Sequence, residues 1–153
     1  MKTLKITPDI KRIVGQAIKV ALTYEKLTGR KLGITGEIGE VLVCAHPKLK
    51  KYGLKLIANP LSAGADAIGR HGKLVQIKAK RPGDWRRRYL GRISKFADHN
   101  FNYAILALIN SKYEIKELYL ASHKKLAPIL GRYPRRNPPI ARFINKKISK
   151  RLL

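Results

Sequence analysis

Two glutamates, one aspartate and a glutamine–lysine pair are the residues best suited to chemistry in this chain. Glu37 and Glu40 stand three apart, Asp66 follows, and Gln76 and Lys78 are two apart. Their setting makes them informative. The chain carries 34 Lys and Arg against 9 Asp and Glu, a formal net charge of +25. The acids are Asp9, Glu25, Glu37, Glu40, Asp66, Asp84, Asp98, Glu114 and Glu117. Between positions 122 and 153 there are ten basic residues and no acid. Such an excess repels itself and calls for a polyanionic partner. Nucleic acid fits best, because each neutralised phosphate releases counterions. A phosphate-binding surface should exclude carboxylates unless something there needs them. A divalent cation is such a need, since Mg²⁺ takes oxygen ligands and keeps several waters. Taken singly the residues have plainer readings: a solvated helix face for the glutamates, a turn aspartate, one more surface lysine.

The elements around these residues decide whether they meet. Thr35 could cap a helix carrying Glu37, Ile38, Glu40, Val41, Leu42 and Ala45, with Pro47 marking its end. Glu37 and Glu40 are neighbours on its surface. Gly36 and Gly39 flank them, and a helical glycine costs about 1 kcal/mol relative to alanine. Two glycines there suggest close approach to another backbone, such as a sheet. Ala65 to Gly69 and Lys73 to Lys80 flank Arg70-His71-Gly72 and read as a hairpin. If Gly69 and Lys73 close a three-residue turn, paired residue numbers sum to 142 and Asp66 lies opposite Gln76. Cross-strand partners have Cβ atoms about 4.5–5.5 Å apart, close enough to share one ion. Gln76 and Lys78 then share a face, while Val75 and Ile77 point the other way.

The rest of the chain frames this hairpin. Thr7-Pro8 opens a helix over about 8–28, with Gly29 as its stop. Positions 53–58 form a further strand. Positions 101–109 are apolar on both faces, the signature of a central strand covered on both sides. Positions 113–121 alternate and should lie beside it, making five strands. Ser122 caps a short helix. Asn137-Pro138-Pro139 should start a last helix with Ile140, Phe143, Ile144, Ile148 and Leu152 on one face. The order implies an α/β sandwich with a mixed sheet.

Residues 79–97 carry seven basic groups and one acid directly after Lys78. This loop reads as a phosphate clamp built on Lys80, Arg81, Arg86, Arg87, Arg88 and Arg92. Trp85 either stacks on an exposed base or packs with Tyr89 in the core. The tail, with Arg135 and Arg136, adds non-specific phosphate contacts or a solvated face. His46, His71, His99 and His123 show no zinc spacing. Cys44 reads as a buried inert thiol, a pattern suited to a reducing cytosol, so a cytoplasmic location is expected. No apolar stretch reaches membrane-spanning length, and no membrane partner is expected.

Gly-Glu-Ile-Gly-Glu (36–40), Gly-Ala-Asp-Ala-Ile (64–68) and Val-Gln-Ile-Lys-Ala (75–79) together resemble the PD-(D/E)XK nuclease superfamily, which includes restriction endonucleases and archaeal Holliday-junction resolvases. The resemblance covers about 36–121. It implies a restriction-endonuclease-like α-β-β-β-α-β core with a mixed central sheet flanked by helices. One domain over 1–153 is expected: an N-terminal helix (1–33), the core (34–121) and a basic helical C-terminal extension (122–153). By resemblance Asp66 binds the metal, Lys78 positions or activates water, and Glu40 is the helix ligand, with Glu37 as substitute. Gln76 and the Ile77 carbonyl complete the ligands. The metal would be Mg²⁺, with Mn²⁺ able to substitute, and the activity a magnesium-dependent endonuclease acting on duplex or branched DNA. Two departures are plain. Gln76 stands for the usual acid, which lowers metal affinity, and Ala65 stands where proline often precedes the aspartate. The alternative is a non-catalytic nucleic-acid-binding protein, either a degenerate nuclease fold or a basic ribosome-like protein. Cutting both strands of a duplex with one site per chain further implies a homodimer.

Overall fold

A computed structural model describes residues 1–59, 64–96 and 101–153. Asp98 and His99, singled out above, lie outside the described residues. One seven-stranded mixed sheet has its strands in chain order: β1 (Thr3–Leu4), β2 (Lys55–Ile57), β3 (Ala67–Ile68), β4 (Leu74–Lys80), β5 (Tyr103–Ile109), β6 (Ile115–Ser122) and β7 (Lys150–Arg151). All neighbours are antiparallel except β4 and β5, which run parallel in register from Val75↔Tyr103 to Lys80↔Leu108.

β5 is covered on both faces, as its apolar run requires. Ala104, Leu106 and Leu108 face one core with Leu90, Ile93, Phe96, Leu126 and Phe143. Ile105, Ala107 and Ile109 face the other with Ala21, Ile38, Val43 and Leu49. The helices α1 (Pro8–Thr28) and α2 (Thr35–Ala45) therefore cover one side. The connection after β4, with α3 (His123–Leu130) and α4 (Ile140–Phe143), covers the other.

The local signals explain most boundaries. The Thr7 hydroxyl accepts from the Ile10 N–H at 3.3 Å, Pro8 opens α1, and Gly29 ends it in the left-handed region at φ 68°. The Ser122 hydroxyl caps α3 through the Lys125 N–H. Thr35 does not cap α2; it is the first helical residue, and Ile34 precedes it without a side-chain cap. α2 stops at Ala45, and a separate 3₁₀ turn follows over Pro47–Tyr52.

The expected basic helical extension over 122–153 is helical only in part. α3 forms within it as expected, but of the last helix expected after Asn137-Pro138-Pro139 only Ile140–Phe143 is helical, and residues 150–151 return to the sheet as β7 against Tyr119 and Leu120. Ile144 and Ile148 pack on one core, but Leu152 and Leu153 pack on the opposite one. A single helix face cannot serve both sides of a sheet. Between β4 and β5 the described residues hold one 3₁₀ turn, Arg87–Tyr89, where the resemblance implied an α-helix.

Candidate functional site

The hairpin has the register read from its sequence. Ala67 pairs with Val75 and Ile68 with Leu74, both summing to 142, and the Gly69 N–H donates to the Lys73 carbonyl at 2.8 Å. His71 turns the chain with φ 57°, a left-handed conformation uncommon outside glycine. The ladder departs from regularity at Asp66. Its N–H donates to the Val75 carbonyl at 3.0 Å, and its carboxylate Oδ2 accepts from the Ile77 N–H at 2.7 Å. Asp66 thus meets the backbone of Ile77 instead of completing a regular pair with Gln76. Beyond Val75 its carboxylate stands where a partner strand would otherwise continue. The N–H and carbonyl of one strand residue project to the same edge, so the Ile77 carbonyl lies beside Asp66.

α2 brings the glutamates to this edge. Gly39 is buried, and a Cβ there would collide with the Ala79 side chain of β4. Helix and strand are therefore in backbone contact one residue before Glu40. Gly36 plays no such part, because a Cβ there would meet nothing within 4 Å. Glu37 is exposed and Glu40 half-buried. A cleft of about 470 Å³ opens alongside, lined by Lys31, Glu37, Ala79, Lys80 and Ser94 among others.

Electrostatics ties the group together. Glu40 is pushed up to about 7, by burial first, then by the charges of Asp66 and Glu37, with Lys78 opposing. Asp66 is raised by burial, against the Ile77 N–H and Lys78. Lys78 is lowered by burial, against Asp66 and Glu40. Among the described residues no hydrogen-bond donor reaches the Glu40 carboxylate. The Lys78 ammonium is instead held by the Lys95 carbonyl at 2.8 Å, over the Phe96 ring at 5.3 Å. Gln76 shares the Lys78 face and is only 5% exposed. No cluster of three or more His, Cys, Asp or Glu suited to a metal occurs among the described residues. The two coupled carboxylates, with the Ile77 carbonyl on the Asp66 edge of β4 and Gln76 on the Lys78 face, are oxygen donors of the kind a hard divalent cation takes. A cation between Glu40 and Asp66 would relieve the repulsion that raises Glu40. Cys44, one turn from Glu40, is pushed up to about 12 by burial and by the same two carboxylates, so it is inert as a nucleophile.

The basic residues divide into groups that sequence could not separate. Arg81 is 6% exposed and spent internally: it donates to Glu25, the Tyr113 hydroxyl and the Ser111 carbonyl at 2.7–3.1 Å. It is a core strut and leaves the phosphate clamp. Arg86 pairs with Asp84 and lies over Tyr89. Arg87 reaches the Tyr119 hydroxyl at 3.0 Å and Glu117 at 3.5 Å. Arg88 and Arg135 are exposed, and Lys80 is half-buried beside the cleft. Trp85 (39% exposed) and Tyr89 (50%) stand outside the core, which removes the packing reading for both.

The tail contributes in a way its composition hid. The Phe96 N–H donates to the Arg136 carbonyl at 3.1 Å, the Ile93 N–H to the Pro138 carbonyl at 3.0 Å, and the Arg92 guanidinium to the Asn137 carbonyl at 3.1 Å. Residues 136–138 therefore pin the segment that holds Lys78. Lys95 and Phe96 are the site residues that sequence reasoning missed. Their only signal was position in the basic connection. No protein-family model and no curated protein matches the chain.

Proposed function

We propose that the chain is a metal-dependent DNA endonuclease with a restriction-endonuclease-like core. The observation that carries this reading is the pair of partly desolvated carboxylates, Glu40 and Asp66, beside Lys78 at the open edge of β4, on a chain of net charge +25. The order α2-β2-β3-β4 followed by the parallel β5 supports this reading, while the described residues between β4 and β5 hold no α-helix, which departs from it.

Glu40 and Asp66 would hold Mg²⁺ or Mn²⁺, with Gln76 and the Ile77 carbonyl as neutral donors and Glu37 at the rim. When bound, such an ion lowers the pKa of a coordinated water and polarises the phosphoryl oxygen. Lys78 adds positive charge where the attacked phosphate becomes more negative. Burial has already lowered its pKa, which eases proton transfer from it. The Lys95 carbonyl orients its ammonium. Arg86, Arg88, Arg92 and Arg135 supply phosphate contacts, and Trp85 offers a face for an unstacked base. Duplex or branched DNA in the cytoplasm is the expected substrate, and two copies acting together would cut both strands.

The test is cleavage of duplex, single-stranded and branched DNA with Mg²⁺ or Mn²⁺. Wild type should cut and Asp66→Ala should lose at least about a hundredfold in rate, the order expected when stabilisation of a developing charge is removed. Equal cutting by both proteins would sink the assignment. The second reading, a non-catalytic nucleic-acid binder, is favoured by one observation: Gln76 is neutral, so the site offers fewer charges than the family pattern. It expects salt-sensitive binding with no cleavage under any metal.

A further inference from the structure

On the sheet face opposite Lys78 lies a hollow of about 400 Å³. Its floor is apolar and consists of Leu54, Val75, Ile105 and Leu120. Val75 pairs with Tyr103 and Ile105 with Leu120, so these side chains share one face, that of the core beneath α1 and α2. Lys78 points the other way, over Phe96. α2 stops at Ala45 and the 3₁₀ turn Pro47–Tyr52 takes over, which leaves the start of β4 and β5 open on this side.

The rim is cationic. Lys51, Arg70 and Lys73 are exposed there, and none of them is in an ion pair among the described residues. No acid lines the hollow. Asp66 is the single acid between positions 41 and 83, and its carboxylate is turned to the Ile77 N–H. The volume falls within the roughly 300–1,000 Å³ of ligand sites, and an apolar floor with a few polar groups around it is their usual build. The occupant must therefore be apolar in its body and anionic at its end. A nucleotide released from its stack has this chemistry. Two tyrosines line the hollow, but they are not equivalent. The Lys51 ammonium already lies over the Tyr52 ring at 5.3 Å, whereas Tyr103 is 36% exposed and no ring or cation covers it among the described residues. Duplex DNA keeps its bases stacked and offers nothing to the apolar floor. A second copy of the chain would bring net charge +25 against the same cations.

We infer that this hollow takes one unstacked nucleotide of a single strand, its base against Tyr103 over the apolar floor and its phosphates on Lys51, Arg70 and Lys73. Aromatic stacking and a basic groove are the two parts of single-strand recognition, and both meet here. The inference rests on the reading of the chain as a nucleic-acid binder and is independent of cleavage. It gives the protein a hold on an unpaired strand remote from the metal site.

The experiment is a fluorescence titration of the full chain without divalent metal. The probes are a labelled oligothymidylate of about 12 nucleotides and a blunt duplex of similar length. Tyr103→Ala should weaken strand binding about tenfold or more, the order of one lost base–aromatic stack, and duplex binding less than about twofold. Tyr103→Phe should bind as wild type does. Circular dichroism checks that each variant keeps the fold. A measurement on wild type guards against a variant that does not: a strand carrying 5-iododeoxyuridine should photo-cross-link to Tyr103 or Tyr52. Thymidine monophosphate should compete far more weakly than unlabelled strand. Equal loss of strand and duplex binding in Tyr103→Ala, adducts at Trp85 or Tyr89 alone, or competition by the monophosphate equal to that of the strand would each overturn the proposal. Strand binding through Tyr103 with no cleavage under any metal would remove the endonuclease and leave this site standing.

Discussion

At the scale of single residues, Glu40 is the most consequential group. Its ordinary value is 4.5, and the folded chain raises it to about 7. Between these values the unfolded chain releases the proton and the folded chain keeps it. Stability is therefore lost as pH rises from about 4.5 to 7, and the loss is complete above 7. Glu40→Gln should restore it. The full shift corresponds to about 3 kcal/mol, and partial exposure reduces this to about 1–2 kcal/mol. Urea denaturation without metal should find the variant more stable at pH 8 and indistinguishable at pH 4. Mg²⁺ should stabilise wild type increasingly as pH passes 7, since the ion binds the carboxylate, and should stabilise the variant far less. Arg81 carries the opposite lesson about legibility. In sequence it is one of seven cations in a loop, and nothing local separates it from Arg86 or Arg88. Its partner Glu25 lies 56 positions upstream on α1, so the distinction exists only in the fold. Arg81→Met should cost about 2–4 kcal/mol in denaturation, because it strands a partly buried carboxylate and several acceptors.

At the scale of elements, periodicity revealed what it could address. The β3–β4 register followed from turn length alone, and α1 followed from its cap, proline and terminal glycine. The failures share one cause. β1 and β7 are two residues long, too short for alternation to register, and each exists because a longer neighbour offers a free edge. The tail from Ile140 to Leu152 has helical spacing, but its apolar residues are divided between two cores by the sheet. The glycines of α2 show the same limit, since spacing marked both and packing used one. Gly39→Ala forces α2 away from Ala79 and should destabilise by about 1–3 kcal/mol, the usual cost of overpacking. It should also weaken Mg²⁺ binding, because Glu40 moves with the helix. Gly36→Ala meets open space and should be neutral or stabilising by up to about 1 kcal/mol. Paired denaturation curves separate the two, and equal effects would show that the glycines do not set the helix–strand distance.

At the scale of the whole molecule, charge governs how nucleic acid is met, and the fold decides which charges take part. Of the 34 basic residues, those spent inside cannot release counterions from a phosphate. Arg81 is fully committed, Arg87 is partly committed to Glu117 and Tyr119, while Arg88, which lies over the Tyr89 ring, and Arg135 are exposed to solvent. Binding to a DNA duplex should fall steeply with salt. About six phosphate contacts would give a slope near −5 in a log–log plot and roughly a thousandfold loss between 50 and 200 mM. Arg88→Ala and Arg135→Ala should each make that slope shallower by about one, with little change in stability. Arg87→Ala should do less, because that side chain must first leave its internal partners. Arg81→Met should leave the slope unchanged at a temperature where the variant stays folded. Fluorescence titrations of one labelled duplex at four or five salt concentrations decide this. A slope altered by Arg81→Met and untouched by Arg88→Ala would mean that the DNA path runs along α1 and not over the connection beside Lys78.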